Sequence, residues 1–157
     1  MGARPLVTAV VLLALPTSAK DKPNLDVVAS ARAYVYNVGF EDFQEGLCDG
    51  IDMDGERCHN ASKPVLLTKA QLSRMKALLG DPRNSQPEMA MCWNPHHGLE
   101  LLDREGKRIA TVDICFQCDR ISTELFENPG LSTQGARNWR AFFAELGLVA
   151  HLPPKKG

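Results

Sequence analysis

Between residues 92 and 118 the sequence concentrates side chains that bind soft metal ions: Cys92, His96, His97, Cys115 and Cys118. A cysteine stands shortly before an adjacent histidine pair, and a C-x-x-C motif follows later in the chain. Thiolate and imidazole are the ligands that Zn(II) and Cu(I) prefer. The spacing therefore predicts a tetrahedral Zn or Cu site built from Cys92, His96, Cys115 and Cys118, with His97 as an alternative ligand.

The same cysteines have a structural alternative. Outside the cytosol paired thiols tend to become disulfides, and we then expect bridges from Cys48 to Cys58 and from Cys92 to Cys118. The chain has five cysteines, so Cys115 is then the odd thiol. A redox role for the C-x-x-C motif is the third interpretation. The motif follows a predicted strand, whereas redox-active pairs start a helix that lowers the pKa of the attacking thiol.

The N-terminal residues predict export. Arg4 precedes an apolar run over residues 6–15, which ends at Pro16, and small residues lead up to Ala19. This order is typical of a secretory signal peptide. The run is about half the length of the roughly 20 apolar residues that a membrane span needs. We predict a signal peptide over residues 1–19, a secreted or periplasmic location and no integral membrane segment after cleavage.

Length and composition indicate one folded domain. The chain has 157 residues, of which 44% are apolar and 24% charged, with a net charge of −1. This mixture excludes wholesale disorder, and the charge balance gives no basic footprint for nucleic acid. We predict a flexible lead-in over residues 20–30, a single α+β domain over 31–152 and a loose tail over 153–157.

Three elements around the cysteine and histidine region have clear signals. Alternating apolar residues predict a strand over 31–38. Thr68 and Gln71 form the pattern of a capping box and predict a helix over 68–79. A second helix over 132–146 carries an aromatic stripe on one face and is followed by a capping glycine.

The cysteines and histidines themselves lie on a predicted hairpin. Gly106 suits the left-handed position of a three-residue loop that pairs Asp103 with Lys107. Carried outward, this register places three further pairs opposite each other: Leu101 and Ile109, His97 and Asp113, and Cys92 and Cys118. It puts Cys92, His96 and Cys118 on one face of the hairpin with Val112 and Ile114. The other face then carries His97, Asp113 and Cys115.

These motifs resemble a group of proteins. The segments Cys-Trp-Asn-Pro-His-His-Gly and Ile-Cys-Phe-Gln-Cys flank the glycine-turned hairpin, with a short helix on each side. This arrangement is similar to uncharacterised secreted bacterial proteins with a C-x3-P-H-H segment, an Asp/Gly hairpin and a C-F-x-C end. The resemblance covers about residues 66–148. The resemblance implies an exported, one-domain protein and does not imply any particular activity.

The fold expected from these signals is α+β: a small antiparallel hairpin-centred sheet packed by two amphipathic helices. For function we expect an exported binding or interaction module, stabilised by disulfides, with an unknown protein as partner. The alternative is a soft-metal (Zn or Cu) binding protein, and a thiol-disulfide oxidoreductase is the third hypothesis. The sequence shows no catalytic constellation beyond the C-x-x-C motif, which disfavours an enzyme.

Overall fold

The structure, a computed structural model, describes residues 24–36, 61–87, 95–126 and 130–150. Three sequence predictions lie outside these ranges: the signal peptide, the Cys48–Cys58 bridge and the C-terminal tail. The position of Cys92 also lies outside them.

Seven strands and two α-helices make up the described part of the chain. In chain order they are β1 Ser30–Val35, β2 Val65–Leu66, α1 Lys69–Gly80, β3 Ser85–Gln86, β4 His97–Leu102, β5 Arg108–Cys115, β6 Arg120–Thr123, β7 Gly130–Leu131 and α2 Thr133–Glu145. The strands form one sheet in the order β2-β1-β4-β5-β6-β7-β3, and every pair is antiparallel. The predicted α+β class is confirmed. The sheet is wider than one hairpin.

Helix α1 begins as the sequence predicts. The Thr68 side chain accepts from the Gln71 backbone N–H at 3.3 Å, and the Gln71 side chain accepts from the Thr68 backbone N–H at 2.9 Å. These two bonds satisfy donors that the first turn would otherwise leave unpaired. Met75 and Leu79 are buried on the inner face of the helix. The helix ends at Gly80, ahead of Pro82.

Helix α2 is capped at both ends. The Ser132 hydroxyl accepts from the backbone N–H of Gly135 at 2.9 Å, as expected for an N-cap serine. At the other end Gly147 has φ of +72°, a left-handed conformation that favours glycine. The Leu148 backbone N–H then donates to the Phe143 carbonyl at 2.9 Å. This turn carries the chain back across the end of the helix.

The hairpin closes as predicted but continues in a different register. The Asp103 N–H donates to the Lys107 carbonyl at 2.9 Å, and Gly106 has φ of +78°. A β-bulge then follows, because Leu102 pairs with Arg108 whereas Leu101 pairs with Ala110. The extra residue, Ile109, shifts β5 by one position from there on.

The bulge corrects the predicted faces of the hairpin. His97 pairs with Ile114, and Asp113 pairs with Gly98, so the predicted His97–Asp113 pair is wrong. A shift of one residue moves each side chain to the other face of a strand. His97 therefore lies on the face of Val112 and Ile114, where the sequence register had placed His96.

The face that carries His97 is the hydrophobic core of the domain. Its neighbours on that face of the sheet are Ala33, Leu99, Val112, Ile114 and Ile121, and the helices contribute Met75, Leu79, Trp139, Phe142 and Phe143. Both helices therefore pack on one side of the sheet. An ion pair between Arg74 and Glu145 also joins α1 to α2.

The opposite face of the sheet is polar and also buried. Tyr34 and Tyr36 have no exposed surface, and Glu100 and Asp113 are 6% and 8% exposed. The Tyr34 hydroxyl donates to the Glu100 carboxylate, and the Tyr36 hydroxyl donates to Asp113 Oδ1 at 3.3 Å. Buried polar groups are tolerable when they are hydrogen-bonded in this way.

The ordered domain begins before residue 31. Leu25–Val27 form a turn of 3-10 helix, and Val28 is buried in the core. Strand β1 starts at Ser30, so part of the segment predicted as a flexible lead-in belongs to the domain. Within the described ranges no helix has the length and apolar character needed to cross a membrane.

Candidate functional site

The candidate site centres on His97, the first residue of β4. Its ring lies 4.6 Å from the Phe143 ring and 5.0 Å from the Phe116 ring, measured between centroids. The Nε2 atom lies 3.2 Å from the carbonyl oxygen of Leu148. The side chain is thus held between the turn after β5, helix α2 and the segment that follows α2.

His97 is neutral at ordinary pH. Its pKa is lowered to about 4, mainly by burial; the hydrogen bond to the Leu148 carbonyl opposes this effect, and the nearby His96 and Arg140 add to it. Because a carbonyl oxygen only accepts hydrogen bonds, Nε2 carries the single proton. Nδ1 is then a hydrogen-bond acceptor, and this buried atom has no partner among the described residues.

The neighbouring His96 repeats this arrangement on the other ring nitrogen. Its Nδ1 atom lies 3.1 Å from the Tyr36 carbonyl oxygen and donates to it. Its Nε2 atom is buried and, within the described ranges, has no hydrogen-bond partner. His96 and His97 are 4% and 6% exposed. Two adjacent, nearly buried imidazoles therefore each have one ring nitrogen without a partner among the described residues.

A cleft of about 300 Å³ opens beside the two histidines. Besides His96 and His97, its walls consist of Phe116, Gln117, Arg140, Ala144, Leu148, Val149 and Ala150. We call this set the His97 cleft.

Arg140 is held against one wall of the His97 cleft. Its guanidinium carbon lies 4.7 Å from the centroid of the Phe116 ring, and Nη2 donates to the Phe116 carbonyl at 3.0 Å. A cation stacked on a ring face and tied to a carbonyl has a defined position. Among the described residues no carboxylate forms an ion pair with Arg140.

The two cysteines of the C-x-x-C motif differ in oxidation state. Cys115 is the last residue of β5, has no exposed surface and is free. The Cys118 backbone N–H donates to Cys115 Sγ at 3.2 Å. Cys118 itself is disulfide-bonded, and its partner is outside the described residues. The Cys92–Cys118 bridge stays a prediction.

The predicted metal ligands are only partly brought together. His96 and His97 both line the cleft, but a disulfide-bonded Cys118 has no thiolate to give to a metal. Over the described part of the chain, no group of three or more His, Cys, Asp or Glu side chains is arranged to hold an ion. The side chains that the structure brings together therefore suit a metal ion less well than the four ligands predicted from the sequence.

Sequence reasoning missed every residue of the cleft except the two histidines, including Phe116, Arg140 and Leu148. A signal for Arg140 exists in the helix pattern. Arg140 and Ala144 are four residues apart, beside the aromatic stripe, so they share a face of α2 on which a small residue leaves space. The Leu148 carbonyl has no such signal, because its position depends on how the chain turns after the helix.

Comparison with known proteins gives no relative for this chain. No family model matches the sequence, and no curated protein and no solved structure matches it either. The site is therefore interpreted from its own geometry.

Proposed function

We propose that this protein is an exported binding module that holds a small ligand in the His97 cleft. The observation that carries the proposal is the cleft itself, lined by two buried imidazoles that each have an unpartnered ring nitrogen among the described residues. Ligand sites are typically concave and mostly apolar, with a few polar groups that fix orientation, and their volumes start at about 300 Å³. The volume, the apolar walls and the four polar side chains of this cleft (His96, His97, Gln117 and Arg140) fit that description.

Buried unpartnered nitrogens support a ligand rather than a purely structural role. An unmade hydrogen bond of a buried polar group costs roughly 1–3 kcal/mol. His96 and His97 each carry such an atom, and both residues line the cleft. A ligand that donates a hydrogen bond to either nitrogen recovers part of this cost when it binds. The two histidines are therefore set up to favour the bound state.

A soft metal is the second candidate ligand. Each imidazole donates one N–H to a backbone carbonyl, which is how proteins orient histidines that bind metals. Two such nitrogens supply only half of the tetrahedral set that Zn takes, and Cys92 or an exogenous ligand would have to supply the rest. The small-ligand proposal needs no additional protein residue, so we prefer it. The described residues do not favour the thiol-disulfide oxidoreductase hypothesis, because Cys118 is disulfide-bonded while Cys115 is free.

The test is a binding screen on the mature chain with a cleft-filling variant. Thermal unfolding is measured with a panel of small acids, amines, neutral compounds, Zn²⁺ and Cu⁺. Ala144 is exposed and lines the cleft, so Ala144→Phe fills it without entering the core. Ala141→Phe is the matched control, because Ala141 is exposed on the same helix and is not part of the lining.

We expect at least one organic compound to raise the melting temperature of the wild type and of Ala141→Phe but not of Ala144→Phe. A stabilising effect that is equal in all three proteins would place the ligand elsewhere and contradict the proposal. A response to Zn²⁺ or Cu⁺ alone would support the metal alternative. Export is tested separately, by mass spectrometry of the protein from its native compartment, where we expect a chain that starts at Lys20.

A further inference from the structure

We infer that the ligand of the His97 cleft is an α-substituted carboxylate: a carboxylate next to an N–H or O–H donor and an apolar side chain. N-acylated hydrophobic amino acids and the C-terminal residue of a peptide share this chemistry. The inference rests on the proposed function and names the class of ligand that fits the cleft.

The charge of the cleft favours an anion. Arg140 is the only Arg, Lys, Asp or Glu side chain in the described lining. The Phe116 carbonyl takes one of its five N–H donors. The remaining donors have a planar geometry that matches a carboxylate. No acidic residue of the lining competes for them.

His97 requires a donor on the same ligand. Nδ1 of His97 accepts, since the other nitrogen of its ring gives its proton to the Leu148 carbonyl. A simple fatty acid has a carboxylate and an apolar chain but no donor, and it would leave this nitrogen unpaired. An amide N–H or a hydroxyl beside the carboxylate supplies the missing donor.

The remaining walls favour an apolar side chain. Ala144, Leu148 and Val149 present aliphatic groups, and Phe116 presents part of its ring. Val149 is 55% exposed, which is unusual for a large apolar side chain in this protein. A leucine-sized group placed here would bury apolar surface on both partners, which stabilises the complex by about 25 cal/mol per Å².

The test compares three probes by calorimetry on the mature chain: N-acetyl-L-leucine, its C-terminal amide and 4-methylpentanoate. The first has all three features, the second lacks the charge and the third lacks the donor. We expect N-acetyl-L-leucine to bind about tenfold or more tightly than either, the loss typical of a hydrogen bond to a charged group. Equal affinity for the acid and the amide would overturn the inference.

Variants assign the two recognition elements. Arg140→Gln should remove the preference for acid over amide, and Arg137→Gln, exposed on the same helix and not in the lining, should keep it. His97→Phe preserves an aromatic ring between Phe116 and Phe143 and should remove the preference for N-acetyl-L-leucine over 4-methylpentanoate. Retention of either preference in its variant would contradict the assigned role.

Two further arms separate the outcomes. N-acetyl-glycyl-glycyl-leucine tests whether the natural ligand is a peptide C-terminus or a free small acid. If this peptide binds as tightly as N-acetyl-L-leucine, the ligand is a peptide C-terminus. If the peptide does not bind, the ligand is a free small acid. Compounds from the screen that bind in an Ala144→Phe-sensitive manner but lack a carboxylate would overturn this inference and leave the proposed function intact. No Ala144→Phe-sensitive binder of any class would overturn both.

Discussion

The phenol oxygen of Tyr36 occupies the space that any side chain at Gly98 would need. A Cβ atom built on Gly98 lies 2.1 Å from this oxygen. The oxygen also donates to Asp113, the residue that pairs with Gly98 across β4 and β5. The glycine on β4 thus makes room for a buried phenol that links β1 to β5.

Substitution of this glycine tests the arrangement. Gly98→Ala forces the Tyr36 ring away and strains or breaks its bond to Asp113, so we expect a loss of about 2–4 kcal/mol in the free energy of unfolding. Gly80→Ala is the control, because a Cβ at the end of α1 meets nothing within 4 Å, and alanine favours a helix. Urea denaturation measures both. Equal stability of the two variants would refute this role of Gly98.

The helices were predictable from sequence because their signals are local. Thr68 and Gln71 are three residues apart, and the glycine cap at Gly147 acts within one turn. The hairpin register was not predictable beyond its loop, since nothing in the composition around Ile109 marks a bulge. That single extra residue decides which histidine faces the helices.

The candidate site was predictable only in part. The sequence singled out His96 and His97 but placed them with cysteines, as ligands of a metal. The contacts that define the cleft are long-range: His97 meets the Leu148 carbonyl only after the chain has passed through β5, β6, β7 and α2. Local spacing carries no information about such a contact.

Glu100 gives a second test, on the polar face of the sheet. It accepts from the Tyr34 hydroxyl, and the Arg32 guanidinium lies 3.6 Å from its carboxylate. The Glu100 side chain is 8% exposed and that of Arg32 is 42% exposed. Because the Glu100 carboxylate is buried and desolvated, its removal should affect stability more than loss of its ion pair with the half-exposed Arg32.

We expect Glu100→Ala to lower the free energy of unfolding by about 2–4 kcal/mol, because it removes a buried acceptor and leaves a cavity. Glu100→Gln keeps the shape and an acceptor oxygen and should cost less than half as much. Arg32→Ala should cost about 0–1 kcal/mol, the range of an exposed pair. Thermal or urea unfolding ranks the three variants. A larger loss in Arg32→Ala than in Glu100→Ala would contradict this ranking.

His97 makes stability depend on pH. Its pKa falls from 6.5 to about 4 in the folded chain, so the unfolded chain takes up the proton first. The ionisable groups that face it are His96, the residue before β4, and Arg140 from α2, while Phe116 and Phe143 are uncharged. The contribution of neutral His97 to the free energy of unfolding is complete above pH 6.5. It is lost as the pH falls toward 4, which lowers the free energy of unfolding by about 3 kcal/mol in all.

The pH effect is measured as a difference between two proteins. Urea unfolding of the wild type and of His97→Gln is followed from pH 7.5 to pH 4, and effects of all other groups cancel. We expect the wild type to lose its advantage over the variant, or fall further behind it, across this window. A difference that stays constant with pH would show that His97 does not carry the effect.

The last prediction concerns thiols. Cys115 is free and has no exposed surface, so it should react with a thiol reagent only when the chain unfolds. If Cys48 pairs with Cys58 and Cys92 with Cys118, the unfolded and unreduced chain has one reactive thiol, and Cys115→Ala has none. Peptide mapping without reduction then identifies the partner of Cys118. A link from Cys118 to Cys48 or Cys58 would refute the predicted pairing, and rapid labelling of Cys115 in the folded chain would contradict its burial.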